Sequence, residues 1–146
     1  MPDELKFSSA EVNVVLHATE GREKVLTSIE NAIAVPAASF SGESSEGHFG
    51  NKIALLRATV ASEEAAILAA RIMSALNSAD RQELADNMEK YSDEKGNLYL
   101  RFDKQRICRG KLSLAEADAV RIKFRPVRRY RPSRNFEAYR RLLSLD

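Results

Sequence analysis

Strict alternation of apolar and charged side chains in two short segments constrains the fold of this chain more than any other feature. The segments are LYLRFDK, residues 98–104, and AVRIKFR, residues 119–125. Successive side chains of a β-strand point to opposite faces of a sheet, so each segment predicts a strand with one buried side. The side chains expected to face inward are Leu98, Leu100, Phe102, Val120, Ile122 and Phe124.

Two further strands are expected, and helical patterns separate them. Residues 11–18 are rich in β-branched side chains, and residues 52–60 form a second apolar segment; Leu16 and Leu56 are expected to face inward. Apolar residues repeat at helical spacing in residues 25–33, and two more helical patterns follow the second strand. We therefore expect an α+β two-layer sandwich, with a small, mostly antiparallel sheet and helices on one face.

The composition excludes several classes of protein. Cys108 is the only cysteine in 146 residues, so no internal disulfide can form, and a reduced, cytoplasmic environment is expected. No apolar run approaches the roughly 18 residues of a membrane-spanning helix. The chain also lacks a glycine-rich phosphate loop, a dinucleotide fingerprint and a Cys-x-x-Cys pair. Neither membrane association nor a cofactor is expected.

The net charge of +2 conceals a strong asymmetry. Residues 121–141 contain nine Lys or Arg and one acidic residue, which gives this segment a charge of +8. The rest of the chain, with fourteen basic and twenty acidic residues, carries −6. Such segregation indicates an anionic partner, for which nucleic acid is the usual candidate, or a solvated basic tail.

If helices cover one face of the sheet, the opposite face collects aliphatic, aromatic and basic side chains together. It would contain Asn13, Val15, His17, Ile53, Leu55, Arg57, Tyr99, Arg101, Asp103, Arg121, Lys123 and Arg125. A group of exposed aliphatic side chains on a sheet is usually covered by another segment of the protein or by a binding partner. A second subunit, the C-terminal helix and a nucleic acid strand are the three candidates.

The chain is predicted to divide into a domain, residues 1–127, and a basic C-terminal tail, residues 128–146. Prolines keep the first part of the tail extended, and a short helix is expected from about residue 133. The tail either follows a phosphate backbone as an extended arm or packs its helix on the domain. The side chains that would share one side of that helix are Phe136, Tyr139 and Leu143.

Three segments together resemble a known family: VLHATEGREKVL, residues 15–26; EGHFGNKIALLRA, residues 46–58; and GNLYLRFDKQ, residues 96–105. The family is an archaeal group described as predicted exosome subunits or RNA-binding proteins. Its fold is similar to that of the ribosomal protein that binds 5S rRNA on the large subunit. The resemblance, which covers about residues 10–125, implies RNA as a partner and an association with subunits of an RNA-degrading complex.

The most specific part of the resemblance is a loop. Glycines on either side of a histidine and a phenylalanine permit positive φ, so the chain can turn sharply there. Two interpretations remain open: the loop binds a ligand, or the imidazole bonds backbone and the phenyl ring fills the core. The motif residues are Glu46, Gly47, His48, Phe49, Gly50 and Asn51.

Catalysis is not expected. His17, His48, Glu20, Glu46 and Asp103 could supply acid–base or metal-binding groups, but they lack close ligand spacing, so no metal and no catalytic residue is predicted.

The leading hypothesis is a non-catalytic RNA-binding protein that works with RNA-processing or RNA-degrading machinery. The alternative is a protein-interaction or dimerisation module that buries Val15, Ile53 and Leu55 against a partner. That partner can be a second copy of the chain, which would form a homodimer. Basic side chains would bind phosphates, and an exposed tyrosine can stack on a base. The predicted RNA-binding residues are Tyr99, Arg101, Lys104, Arg106, Arg109, Lys111, Arg121, Lys123, Arg125, Arg128, Arg129 and Arg131.

Overall fold

The structure of the chain, a computed structural model, describes residues 6–46, 52–127, 137 and 139–141. Its strands are β1 (Phe7–His17), β2 (Ser41–Glu46), β3 (Lys52–Ala61), β4 (Leu98–Asp103) and β5 (Ala119–Pro126). Its α-helices are α1 (Arg22–Ile33), α2 (Ser62–Ala75), α3 (Ser78–Asp86) and α4 (Lys104–Ile107). The strands form one sheet in the order β2-β3-β1-β5-β4, and every neighbouring pair is antiparallel.

The prediction of a two-layer α+β fold is confirmed. Helix α2 packs across β1 and β3, and α1 packs beside α2. The inward-facing side chains predicted from alternation are all buried between the sheet and these helices. On the opposite face, which we call the open face, the exposed side chains include Leu55, Arg57, Tyr99, Arg101, Arg121 and Arg125.

Strand β2 was not predicted from the sequence. Its residues, SGESSE, include no β-branched side chain and no apolar alternation, so nothing in this segment indicates a strand. The strand is held by its pairing with β3, from Ser41 opposite Arg57 to Glu46 opposite Lys52. A Cβ atom at Gly42 would lie 1.8 Å from the carbonyl oxygen of Leu55, so only glycine fits at this close approach.

The first residue of the predicted motif loop, Glu46, belongs to strand β2 instead. Glu46 is the last residue of β2, and its backbone pairs with Lys52. The other predicted members of the loop, residues 47–51, lie outside the described residues.

The ends of the helices are set by local backbone conformation and by hydrogen bonds from nearby side chains. Helix α1 ends at Ala34, which adopts a left-handed conformation with φ 60°, shortly before Pro36. Helix α3 begins at Asn77, whose side chain accepts a hydrogen bond of 2.8 Å from the Asp80 amide. The Arg81 guanidinium caps the end of α2 by donating to the carbonyl of Leu76.

The described part of the C-terminal tail packs on the helix-covered side of the sheet. The side chain of Tyr139 is fully buried, and its hydroxyl donates to the Gly96 carbonyl at 2.6 Å. Its ring stacks on that of Phe7, with 6.5 Å between centroids. Core contacts thus cross the domain boundary predicted at residue 127. The tail helix was one of three candidates to cover the open face, but its residue Tyr139 packs on the opposite side of the sheet. Phe136, Leu143 and the arginines at 128, 129 and 131 lie outside the described residues.

Within the described ranges, no helix is both long and apolar enough to cross a lipid bilayer.

Candidate nucleic-acid interface

Strand register aligns five polar side chains across the whole open face. Ser41 lies opposite Arg57, Arg57 opposite Asn13, Asn13 opposite Arg121, and Arg121 opposite Arg101. Neighbouring strands are about 4.8 Å apart, so this row of side chains, which we call the polar row, extends for about 19 Å. A row of this length can follow several phosphates of a nucleic acid backbone.

The two arginines at one end of the polar row form a pair of like charges. Arg101 and Arg121 lie directly opposite each other on β4 and β5, and both are exposed. Neither forms an ion pair with any residue that the structure describes. Like charges at directly opposite positions destabilise a sheet, so an anion bound between them would relieve their repulsion.

Other arginines of the open face have a nearby carboxylate. Glu11 lies 3.6 Å from Nε of Arg57 and 3.7 Å from a terminal nitrogen of Arg125. Nε of Arg57 also donates to Oδ1 of Asn13 at 3.0 Å. Of these arginines, Arg101 and Arg121 are therefore the ones without a carboxylate within 4.0 Å among the described residues.

Tyr99 is held in place on the same face. Its hydroxyl donates to Oδ2 of Asp93 at 2.8 Å, and Nζ of Lys123 lies 5.3 Å from the ring centroid. Burial alone would raise the pKa of Asp93, but hydrogen bonds from Asn97, Tyr99 and Lys95 outweigh it and hold that pKa below its ordinary value. The ring is thus fixed beside the arginine pair.

The prediction that Lys104 binds RNA is wrong. Its side chain is only 1% exposed. Its ammonium lies 2.8 Å from each of three oxygens, the Val15 carbonyl and the carboxylates of Glu20 and Asp118. Burial alone would lower the pKa of Lys104, but the hydrogen bonds to Asp118 and Glu20 outweigh it and raise the pKa. All three donors of the ammonium are used inside the protein, so none is left for a phosphate.

The ion pairs of Lys104 involve the side chains that could otherwise bind a metal ion, at the end of the sheet where β1 ends. His17, Glu20 and Asp118 bring potential ligand atoms within 4.8 Å of one another. Nε2 of His17 lies 3.6 Å from the Asp118 carboxylate. The Lys104 ammonium already occupies the place beside both carboxylates where a cation would bind, which makes the cluster a structural ion-pair network.

The three segments that carry the family resemblance converge at this end of the sheet. Glu20 of the first segment and Lys104 of the third are joined by their ion pair. Ile53 of the second segment pairs with His17 of the first. Glu46 and Lys52, the first and seventh residues of the second segment, form the last pair of β2 and β3 at the same end.

The predicted RNA-binding residues fall into separate groups. Tyr99, Arg101, Arg121, Lys123 and Arg125 share the open face. Arg106, Arg109 and Lys111 lie in or just after α4, where Arg106 and Lys111 line a depression with Ala32 of α1 and Ala75 of α2. We call this second set the α4 group; it lies beside the helix layer, away from the polar row.

Three side chains of the polar row, Ser41, Asn13 and Arg57, were not among the predicted RNA-binding residues. Alternation placed Asn13 and Arg57 on the correct face, but nothing local distinguishes them from other polar residues. Their significance comes from pairing with Arg121 and with each other, which no single segment of the sequence reveals.

Beside the polar row, the open face has a concave depression with an apolar floor. Val15 and Leu55 lie opposite each other on β1 and β3, and Leu55 is 54% exposed. Asn13, Arg57 and Arg121 form one side of this depression. We call it the β1–β3 depression.

Comparison with known proteins relates this chain to a family. A family model described as RNA binding matches residues 9–125. The chain belongs to this RNA-binding family. The match includes every described strand except the last residue of β5 and the first two of β1.

Individual relatives are archaeal proteins. The RNA-binding protein PAB1135 of Pyrococcus abyssi is 31% identical over 125 residues, which cover 82% of this chain and 81% of the relative. The structure of Mth689, a DUF54 protein from Methanothermobacter thermautotrophicus, is 28% identical and superposes with a TM-score of 0.76, covering 95% of this chain and 99% of that one. Protein SSO0741 from Sulfolobus solfataricus, at 24% identity, shares the fold with a TM-score of 0.74, covering 92% and 96% of the two chains.

Proposed function

We propose that this protein is a non-catalytic RNA-binding protein and that the polar row of its open face contacts the RNA backbone. The observation that carries the proposal is the arginine pair: Arg101 and Arg121 lie opposite each other, exposed and without a carboxylate partner in the described part of the chain. A fold retains such repulsion most readily where an anionic ligand offsets it. Family membership supports RNA as that ligand.

The geometry favours phosphate contacts as the main source of affinity. Guanidinium groups form paired hydrogen bonds with phosphate oxygens, and several of them in a row can follow a backbone without reading its sequence. Tyr99, fixed beside the arginine pair, adds a surface on which a base or ribose can pack.

A finer proposal rests on the sequence resemblance alone. We propose that the protein acts with RNA-processing or RNA-degrading complexes, because the three converging segments resemble those of predicted exosome subunits. Co-purification of a tagged protein with subunits of such a complex would test this point separately from RNA binding.

The interface is tested by comparing two double variants in filter-binding titrations with salt. We expect Arg101→Gln with Arg121→Gln to weaken binding and to reduce the slope of log K against log salt by about 1.4 to 1.8, the contribution of two lost phosphate contacts. The matched double variant, Arg106→Gln with Arg109→Gln, removes the same charge from the α4 group. We expect a clearly smaller change from it.

Arg22→Gln, an exposed substitution at the start of α1, serves as the control for net charge. Thermal melts of all variants exclude unfolding as the cause of lost binding. A slope that falls only in the α4 group variant would place the interface on the helix side and contradict the proposal.

A further inference from the structure

We propose that the β1–β3 depression holds an unpaired guanine base of the bound RNA. This inference rests on the proposed function, since the polar row that borders the depression would carry the phosphates of the same strand. It assigns base recognition to Asn13 and Arg57, which follow Arg121 in the polar row on β1 and β3.

The floor of the depression suits the flat face of a base. Val15 and Leu55 lie side by side, and more than half of the Leu55 side chain is exposed. Ser41 and Gly42 of the neighbouring strand β2 line the depression as well. Small-molecule sites commonly combine such an apolar floor with a few convergent polar groups.

On the side of this floor formed by the polar row, the polar side chains offer hydrogen-bond donors; His17 and Asp118 line another part of the depression, where the Asp118 carboxylate is paired with Lys104. A guanidinium can only donate, so the bond of 3.0 Å from Nε of Arg57 fixes the Asn13 amide with its oxygen toward Arg57. The amide NH₂ of Asn13 is then directed away from Arg57 as a donor. The terminal nitrogens of Arg57 form no hydrogen bond with any described residue, and the Arg121 guanidinium adds further donors.

This arrangement selects among bases. Guanine presents two adjacent acceptors, O6 and N7, on one edge, and this edge is the preferred partner of arginine. Adenine presents a donor, its N6 amine, beside N7, and the amine would face the donors of Asn13 and Arg57. Uracil separates its two carbonyl oxygens by an N–H donor. Guanine is therefore the purine whose edge matches these donors best.

A second copy of the chain is a poorer occupant. In a twofold symmetric dimer the same surface faces itself, so a pairing of open faces would bring the guanidinium groups of the polar row together. Arg101 and Arg121 already lack a carboxylate partner among the described residues, and a dimer would add further like charges to theirs. Charge complementarity thus favours an anionic RNA.

The test uses short single-stranded RNAs of equal length, one entirely adenosine and the others with a single central substitution. We expect guanosine to bind about five- to tenfold more tightly than adenosine, the low end of a bidentate purine contact. Inosine, which keeps O6 and N7, should retain this advantage. 7-Deazaguanosine, which lacks N7, should lose most of it.

Two variants assign the preference to the depression. Asn13→Ala removes the amide donor, and Leu55→Ser removes part of the floor at an exposed position; each should bring the guanosine-to-adenosine affinity ratio close to one. Thr59→Ala, an exposed substitution on β3 outside the depression, is the matched control and should keep the ratio.

The outcomes separate the two proposals. Failure of every RNA to bind would overturn the proposed function and this inference together. Binding with equal affinity for guanosine and adenosine, or a preference that survives both Asn13→Ala and Leu55→Ser, would overturn the inference alone. A wild-type dimer that Leu55→Ser converts to monomer in sedimentation would assign the depression to a second copy and likewise overturn it.

Discussion

Arg101 and Lys104 belong to the same short segment, yet they occupy opposite electrostatic environments. Lys104 is buried and lies 2.8 Å from two carboxylates and a carbonyl. Arg101 is exposed and faces the guanidinium of Arg121 across the strand pair. One cation is fully neutralised within the fold, and the other has no carboxylate partner among the described residues.

The comparison shows that the partners of a cation, more than its place in a basic segment, indicate its role. A buried ammonium with all donors used stabilises the fold and cannot reach a ligand. An exposed pair of like charges costs stability and gains most from an anion. Measurements that separate stability from RNA binding can therefore test whether the two cations have different roles.

The largest expected change in stability comes from substitution of the buried cation, Lys104. Lys104→Met should lower the free energy of unfolding by about 3 kcal/mol, because it leaves the carboxylates of Glu20 and Asp118 without their cation. The folded-state pKa of Lys104 is raised, so this contribution is complete below the ordinary value of 10.5 and is lost as the pH rises above it. Urea denaturation measures the change.

Lys111→Met, at an exposed position after α4, is the matched control and should change stability by at most about 0.5 kcal/mol. The salt dependence of RNA binding should not change in the Lys104 variant. If that variant instead keeps its stability and loses salt dependence, the distinction between the two cations is wrong.

A smaller loss of stability is expected at Tyr99, whose hydroxyl donates a hydrogen bond to the Asp93 carboxylate. Tyr99→Phe removes the hydrogen bond to Asp93 and should cost about 1 kcal/mol at neutral pH. The folded-state pKa of Asp93 lies below the ordinary value of 3.8, so its contribution is present above 3.8 and is lost as the pH falls through the lower folded value.

The stability difference between wild type and Tyr99→Phe should therefore shrink in acid, as followed by urea titrations at several pH values. In an Asp93→Asn background, which cannot titrate, the difference should stay constant with pH. A difference of the same size at every pH in the wild-type background would show that Asp93 does not hold the tyrosine.

The smallest expected effect has the opposite sign. Arg121→Gln removes one of two directly opposed cations and should raise the free energy of unfolding by about 0.2 to 0.5 kcal/mol, more at low salt than at high salt. The same variant should bind RNA more weakly, so stability and binding would change in opposite directions.

Arg125→Gln on the same strand is the comparison variant, because Arg125 lies 3.7 Å from Glu11 and its loss removes an attraction. It should not stabilise the protein. A loss of stability at low salt in Arg121→Gln would mean that the arginine pair is compensated within the fold.

Alternation in the sequence was sufficient to predict the covered side of the sheet. Leu100 and Phe102 are buried as expected, since side chains two residues apart must share a face. Strand β2 escaped prediction because its polar residues carry no periodic signal and its order comes from pairing with β3. Tyr139 likewise gave no local sign that it reaches Phe7 and Gly96 in the core.

For β1, β3, β4 and β5 the sequence was enough to show which side chains are buried, because apolar side chains two residues apart share a face of the strand. The tertiary structure alone decided which side chains meet across strands. Register, set by pairing between distant segments, placed Arg121 opposite Arg101 and Asn13. The fold also brought Glu20 and Asp118 from opposite ends of the domain to Lys104, and their carboxylates turned a predicted RNA contact into a structural ion pair.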